Sequence, residues 1–357
     1  MLTEIAYSNI RNLSEGAFSP GFGVNLITGD NAAGKSSVLE AIHLLSLGRS
    51  FRTSQLDRVV SSTESECWVR GSVRRDGRIT RIGFQRAGKR NRFRIDGTDA
   101  TSVAQTARTL PVQIIHPDSH RLLTSGPAHR RAFLDWGCFY ADAGFHAVWR
   151  QYRRALAQYN CALKGRIDRN ILHGLEQALA VHGEDIDRRR RFYLSELLAS
   201  LSSMDPLWPE PEDRVLVYEP GWHVNTPLLD ALGKHRQRAI RFGSAMVGPH
   251  RADLTVLHRG EPAATALSRG QIKRVTVALM LTQMTLYESN AGHSCTLMID
   301  DIASELDAHS VRLVADAIGK RSGQCFVSAL SLDDAQPFMH GDHRMFHVEH
   351  GRLSELL

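Results

Sequence analysis

Residues Gly29-Asp30-Asn31-Ala32-Ala33-Gly34-Lys35-Ser36 place two glycines, a lysine and a hydroxyl at the spacing G-x-x-x-x-G-K-S. That spacing suits a loop wrapped round a phosphate. The glycines free the backbone to turn its N–H groups inward, Lys35 adds a cation, and Ser36 offers a hydroxyl to a divalent metal. Ser37 continues the same turn. Far along the chain an apolar run ends at Asp300-Asp301. Asp300 is the natural Mg²⁺ partner of Ser36, and Asp301 is placed to polarise an attacking water. Lys35, Asp300 and Asp301 are therefore the catalytic candidates. A third piece, Leu267-Ser268-Arg269-Gly270-Gln271, opens an apolar-faced helix with Ser268 as a good N-cap. Such a helix end is a second anion site. A chain with a complete loop of its own has little use for another in cis. Ser268, Arg269, Gly270 and Gln271 are thus expected to meet the γ-phosphate of ATP held by a second copy.

Elements must hold these pieces. Val24–Thr28 reads as a buried strand before the loop and Ser37–Leu45 as an amphipathic helix after it, the context a phosphate loop requires. Thr296–Ile299 has the length and apolarity of a buried parallel strand, and Gln324–Ser328 of another. The signature helix is predicted over Gln271–Glu288. Between these parts lie hairpin signals at Asp76-Gly77 and Asp96-Gly97. A helical stretch follows, with Phe133–Leu163, Leu172–His182 and Ile186–Leu201 as segments, a break at Met204–Pro209 and a short strand at Val215–Tyr218. No run of three or four apolar heptads occurs, so this insertion should be compact rather than a long coiled coil. The predicted fold is α/β: a mixed sheet with flanking helices and antiparallel hairpins, interrupted by a mainly helical arm. The expected domains are residues 1–117, 118–245 and 246–357, the first and last forming one head.

Composition narrows the class. A chain of 357 residues can bury a large core and divide. No stretch approaches the roughly 18 apolar residues needed to cross a membrane, and no export pattern opens the chain, so a cytoplasmic protein is expected. Five scattered Cys without a C-x-x-C pair argue for thiols, and the 17 His form no metal pattern. His250 in particular reads as a structural, hydrogen-bonding histidine. Net charge is +6, so the distribution matters more than the total. Arg86, Lys89, Arg90, Arg92 and Arg94 crowd one strand-rich stretch, and Arg130 and Arg131 are adjacent; these are the candidates for contact with nucleic-acid phosphates. Further basic runs are Arg150, Arg153 and Arg154, and Arg188 to Arg191. With 7% aromatic residues and no aromatic–basic alternation, backbone contact with strong salt sensitivity is the expected mode.

The ordered set of loop, signature and acidic strand resembles the ATP-binding-cassette ATPase heads of the chromosome-maintenance and repair branch. Longer strings are similar to the RecF family: Asn9-Ile10-Arg11-Asn12-Leu13, Gly48-Arg49-Ser50-Phe51-Arg52-Thr53, Pro127 to Asp135, Gly248-Pro249-His250-Arg251-Ala252-Asp253-Leu254, and Asp300 to Asp307. The resemblance implies ATP and Mg²⁺ as cofactors, with Arg11 reaching the nucleotide and Gln113 as one candidate for the water-sensing glutamine. It also implies a D-loop at Ser304, Glu305, Leu306 and Asp307, and a homodimer formed with ATP. The implied role is clamping on double-stranded DNA and double-strand/single-strand junctions in recombinational repair and fork restart, helping RecO and RecR load RecA through a weak, DNA-stimulated ATPase. Two departures point to slow hydrolysis. Ala329-Leu330 supplies no histidine after the Gln324–Ser328 strand, and Asp301 is one methylene shorter than glutamate. The rival reading, the ATPase subunit of a membrane transporter, shares the three short motifs but not the hairpin-then-helical insertion or the longer strings.

Overall fold

The computed structural model describes residues 1–165, 168–301, 306–339 and 341–356, with only the backbone of Arg169. Chain contacts gather them into two compact units, Met1–Ser119 with Ala291–Leu357, and His120–Asn290. Residues 246–290, assigned from sequence to the C-terminal part of the head, thus cluster with the helical arm.

The first unit holds two sheets. One is antiparallel, built from β1 (Leu2–Ser8), β2 (Gly16–Phe18), β4 (Glu66–Arg75), β5 (Arg78–Ala87), β6 (Arg90–Ile95) and β7 (Thr98–Asp99) in the order β2-β1-β4-β5-β6-β7. Two of its two-residue turns fall at Asp76-Gly77 and Asp96-Gly97, all four residues with positive φ, as right-twisted hairpins prefer. The other sheet contains β3 (Val24–Thr28), β8 (Val112–Ile115), β12 (Thr296–Ile299), β13 (Cys325–Ala329), β14 (His343–Glu349) and β15 (Arg352–Leu356), in the order β15-β14-β3-β13-β12-β8. All neighbours in it run parallel except the β14–β15 pair. β3, β12 and β13 are buried at every position, which explains their unbroken apolar runs.

Helix α1 (Lys35–Leu47) packs against strands of both sheets, and α2 (Val103–Thr109) packs on α1. Every residue of α1 except Ser36 and Leu47 is buried. The expectation of an amphipathic helix is corrected accordingly: a helix between two sheets has no solvent face. Its polar residues are satisfied internally instead. Ser37 Oγ donates to Asn12 Oδ1 at 2.9 Å and Ser46 Oγ to the Leu110 carbonyl at 2.6 Å. His43 Nδ1 lies 2.6 Å from the Arg49 carbonyl, and burial pulls its imidazole down to about 4. The short α10 (Ala308–Gly319) and α11 (Leu332–Ala335) complete this unit.

The second unit is led by helices α3 (Arg121–Thr124), α4 (Pro127–Ala141), α5 (Phe145–Lys164), α6 (Arg169–Ser200), α7 (Leu228–Phe242), α8 (Ala263–Ala266) and α9 (Arg269–Ala291). A small antiparallel sheet joins β9 (Arg214–Glu219), β10 (Asp253–His258) and β11 (Glu261–Pro262). Two helix boundaries differ from expectation. The Phe133–Leu163 run breaks at Asp142, whose carboxylate accepts the Gly144 N–H at 2.7 Å and starts α5. Conversely, Leu172–His182 and Ile186–Leu201 are one 32-residue helix. Gly183, which looks like a breaker, lies where a Cβ would meet Leu228 Cδ2 at 2.5 Å. It is there so that α6 and α7 can approach.

The contact of α1 with the antiparallel sheet rests on Gly71. A Cβ there would lie 2.7 Å from Leu45 Cδ2 and 2.9 Å from Leu2 Cδ1. Gly71→Val should therefore lower stability by about 1–3 kcal/mol through overpacking, read as a drop in denaturation midpoint with unchanged m.

Candidate functional site

In the parallel sheet β13 lies between β3 and β12, so three C-terminal strand ends meet side by side. The phosphate-type loop leaves β3, Ser328 and Leu330 come from the end of β13, and Asp300-Asp301 end β12. The crevice beyond the carboxyl ends of such strands is where open α/β sheets bind ligands. Here it is a cleft of about 840 Å³ whose lining includes Asp30, Lys35, Ser36, Asp301 and Ser328, within the usual range for a small-molecule site.

The loop has the expected geometry. Gly29 and Gly34 take φ of 145° and 127°, and a Cβ at Gly29 would stand 2.3 Å from the Val348 carbonyl oxygen. α1 starts at Lys35 with no side-chain cap and no acidic residue in its first turn, leaving its N-terminal N–H groups for an anion. Lys35 Nζ donates to the Gly29 and Asp30 carbonyls at 2.6 and 2.9 Å, across the mouth of its own loop. Burial pulls the Lys35 ammonium below the ordinary lysine range, while Asp301, Asp300 and Asp30 oppose that shift.

Ser36 Oγ donates to Asp300 Oδ1 at 2.8 Å. The same Oδ1 accepts Ser328 Oγ at 2.7 Å, and Ser328 Oγ accepts the Asp301 N–H at 3.0 Å. A hydroxyl and a carboxylate in contact, with Asp300 only 7% exposed, form the donor set that a hard cation such as Mg²⁺ prefers. Ser328 was missed at the sequence level. Its signal is a hydroxyl at the end of the otherwise apolar strand Cys325–Ala329. Asp301 lines the cleft with φ of 51°. Leu330 lines it too, where a histidine was sought. Gln113 is buried within β8 and is not among the cleft residues.

Arg11 also lines the cleft, but its guanidinium is committed. It forks onto Glu40, Nε and Nη2 each 2.8 Å from a carboxylate oxygen, and Nη1 donates to the Arg58 carbonyl at 2.7 Å. Glu40 is fully buried on α1 and also receives Ser50 Oγ, which explains the charged residue on an apolar helix. The hydrogen bond to Glu40, against burial, raises the Arg11 guanidinium further above neutrality. Asn12 donates to the Ala32 carbonyl at 2.8 Å, bracing the loop from the other side.

The remaining candidates separate clearly. Ser268 and Gln271 cap α9 reciprocally: the Ser268 N–H donates to Gln271 Oε1 at 2.9 Å and the Gln271 N–H to Ser268 Oγ at 3.4 Å. Ser268, Arg269 and Gly270 are exposed at that helix end. Ser304 and Glu305 lie outside the described residues; Leu306 is buried and Asp307 caps α10 by accepting the Ser310 N–H at 2.8 Å. Among the candidates for DNA contact, Lys89 and Arg90 are exposed at the β5–β6 turn. Arg92 and Arg94 are exposed and share Asp99.

Arg86 corrects the expectation: it is 6% exposed, with Nη1 donating to Asn91 and Nη2 to Asp57. Arg130 and Arg131 are half-buried. Arg130 forks onto Asp253 at 2.7 and 2.9 Å and donates to the Ser125 carbonyl, while Arg131 donates to the Ala252 carbonyl. Two of the longer motifs thus bind each other. Arg190, from the Arg188–Arg191 run, is buried on Asp135 and the Pro249 carbonyl. Next to it, His250 is structural as expected. Its Nδ1 lies 2.6 Å from Tyr152 Oη, its Nε2 is 3.2 Å from the Ala245 carbonyl, and burial pulls it down to about 4.

Comparison with known proteins identifies the family. The family model described as the RecF/RecN/SMC N terminal domain matches residues 1–352. Proteins named DNA replication and repair protein RecF from Thioalkalivibrio sulfidiphilus and Pseudomonas aeruginosa are 37% and 38% identical, over 99% of this chain and 99% and 97% of theirs. A solved structure of the recombination mediator protein RecF-ATP in the RecFOR pathway is 29% identical with a TM-score of 0.88, covering 100% of this chain and 97% of that one. The Smc head domain of Pyrococcus furiosus, at 15% identity and a TM-score of 0.58 over 99% of this chain and 96% of that one, shares the fold. Among the described residues, no helix is long and apolar enough to cross a membrane.

The Arg130–Asp253 pair makes a pH-dependent contribution. Burial raises the Asp253 carboxyl, but hydrogen bonds from Arg130 and the Leu254 N–H outweigh it and hold the group below the usual carboxylate range. A lowered folded value stabilises above the unfolded pKa of about 4 and loses that stabilisation as pH falls through the folded value. Asp253→Asn should therefore destabilise by about 1–2 kcal/mol at pH 7. In urea unfolding at a series of pH values, the difference from wild type should shrink below pH ~4.

Proposed function

The chain belongs to the RecF family of DNA replication and repair proteins, and from that premise we propose that it is an ATP-gated clamp on duplex DNA near single-strand gaps. The observation that carries the nucleotide half is the hydrogen-bonded Ser36–Asp300–Ser328 junction beneath the loop. ATP would be held by residues 29–37, with Lys35 exchanging two neutral carbonyls for phosphate oxygens. Mg²⁺ would sit on Ser36 and Asp300; when bound it supplies positive charge to the phosphate oxygens. Arg11, held on Glu40, supports the cleft wall and presents a fixed cation to it.

Asp301 is the group that would hold an attacking water. Its carboxylate reaches one methylene less far than a glutamate, and Leu330 supplies no imidazole near the cleft. Positioning carries much of phosphoryl transfer, so hydrolysis should be slow and act as a timer. Turnover with saturating ATP and duplex DNA should stay below about 10 s⁻¹ in a phosphate-release assay; a faster enzyme would contradict the timer.

The exposed α9 end at Ser268–Gln271 would complete a partner's site, so that ATP favours a dimer by its differential affinity for that state. Closure would bring basic surface round DNA, with Lys89, Arg90, Arg92 and Arg94 as phosphate contacts. Release would follow hydrolysis, and the clamp would help RecO and RecR load RecA. Support for that pathway is the likeness to the ATP-bound relative. In sedimentation with ATP against ADP, the protein should dimerise only with ATP. Ser268→Arg should abolish the dimer while leaving nucleotide binding by the monomer intact. Loss of monomer binding would place the signature in cis and overturn the dimer model.

A further inference from the structure

We infer that the outer face of the antiparallel sheet carries a phosphate-binding hollow, floored by Gly83 and ringed by Arg70, Arg81 and Arg94, which takes the backbone of duplex DNA. It rests on the reading of this chain as a DNA-binding protein and adds Arg70, Arg81 and the floor at Gly83 to the basic run that contains Arg94. Strand register assembles it. Ala6 pairs with Arg70, Arg70 with Gly83, and Gly83 with Arg94, so one row across four strands reads small, arginine, nothing, arginine. Arg81 stands two residues before Gly83 on β5, hence on the same face. The resulting hollow has a volume of about 350 Å³, and none of its residues lines the nucleotide cleft.

Gly83 is not demanded by the fold. Its φ lies outside the left-handed region, and a Cβ would meet nothing closer than the Val69 carbonyl oxygen at 3.8 Å. Glycine inside a strand weakens it and often marks a place where a ligand approaches the backbone. Here the missing side chain is what keeps the hollow open between two guanidinium groups.

Charge indicates the occupant. Among the described residues, Arg70 and Arg81 have no carboxylate partner, and Arg94 shares Asp99 with Arg92. Glu4 is the acid on the rim, its carboxylate accepting Ser72 Oγ at 3.4 Å. Guanidinium forks match phosphate oxygens, and the charge continues along β6 through Arg92 to Arg90 and Lys89, as a polyanion's backbone requires. Trp68, the nearby aromatic, has the Arg70 guanidinium over its ring at 4.6 Å. The hollow thus suits sequence-independent backbone contact rather than base stacking.

The test uses the full chain with ATP and a fluorescent mixed-sequence duplex, titrated by anisotropy at several salt concentrations. Gly83→Leu, which fills the hollow, and Arg81→Ser with Arg94→Ser, which strips its rim, should each bind on the order of tenfold more weakly. For the arginine variant the slope of log affinity against log salt should fall by about one per residue removed. Binding of a fluorescent ATP analogue and the melting temperature serve as controls and should not fall, since the changed residues lie on the outer face of the sheet, away from the cleft. Wild-type affinity and slope in both variants would overturn the hollow while leaving DNA binding in place. No duplex binding by the wild type would overturn both. Unchanged duplex binding together with lost binding of a polyglutamate peptide would assign the hollow to an acidic protein partner instead.

Discussion

The carboxylate of Asp300 is buried and would be costly to leave unsatisfied, so its partners must be brought to it. One hydroxyl, Ser36, belongs to the first turn of α1; the other, Ser328, ends β13. Both can reach one oxygen only if β3, β13 and β12 are neighbours with parallel direction and matched ends. The order of the parallel strands follows from that need, and so does the burial of β3, β12 and β13. α1 must then lie across the sheet to keep Ser36 in place. The antiparallel sheet covers the rest of α1, and Glu40 must find Arg11 there.

The second unit solves a different problem. It buries Arg190 on Asp135 and the Pro249 carbonyl, and half-buries Arg130 on Asp253 and Arg131 on the Ala252 carbonyl. Buried ion pairs of this kind contribute less to net stability than their number suggests, yet removing one partner leaves an uncompensated charge. They serve to specify how α4, α6 and the segment before β10 fit together. Arginine-rich motifs thus supply internal joints in this unit.

Much of the site was legible because its chemistry is local. Val24–Thr28 and Thr296–Ile299 were read to the residue, since a short apolar run ending at glycine or aspartate has few other uses. The phosphate-type loop and the capped α9 terminus likewise declare themselves through backbone needs. What could not be read was partner choice. Arg86 and Lys89 are three residues apart in one basic run, yet one is buried on Asp57 and the other exposed. Nothing local distinguishes them, because the carboxylate sits in another element. The same holds for α1, whose second buried face depends on a sheet formed by residues far away, and for Ser328, which matters only because β13 lies beside β12. Gly83 escaped notice for the opposite reason: its role lies in a side chain that is not there.

β3 is flanked in the sheet by β13 and β14, so Val24 pairs with Cys325 on one side and with His343 on the other. Between them in sequence lies the whole second unit, which has its own internal contacts. During synthesis the loop-bearing strand therefore emerges early and waits, without either neighbour, until some three hundred residues have followed. Pairings of such separation form slowly, and an unpaired apolar strand is open to wrong partners meanwhile. The cradle for the phosphates is thus among the first segments made and among the last completed, so a chain interrupted anywhere in its middle carries the loop but not the site.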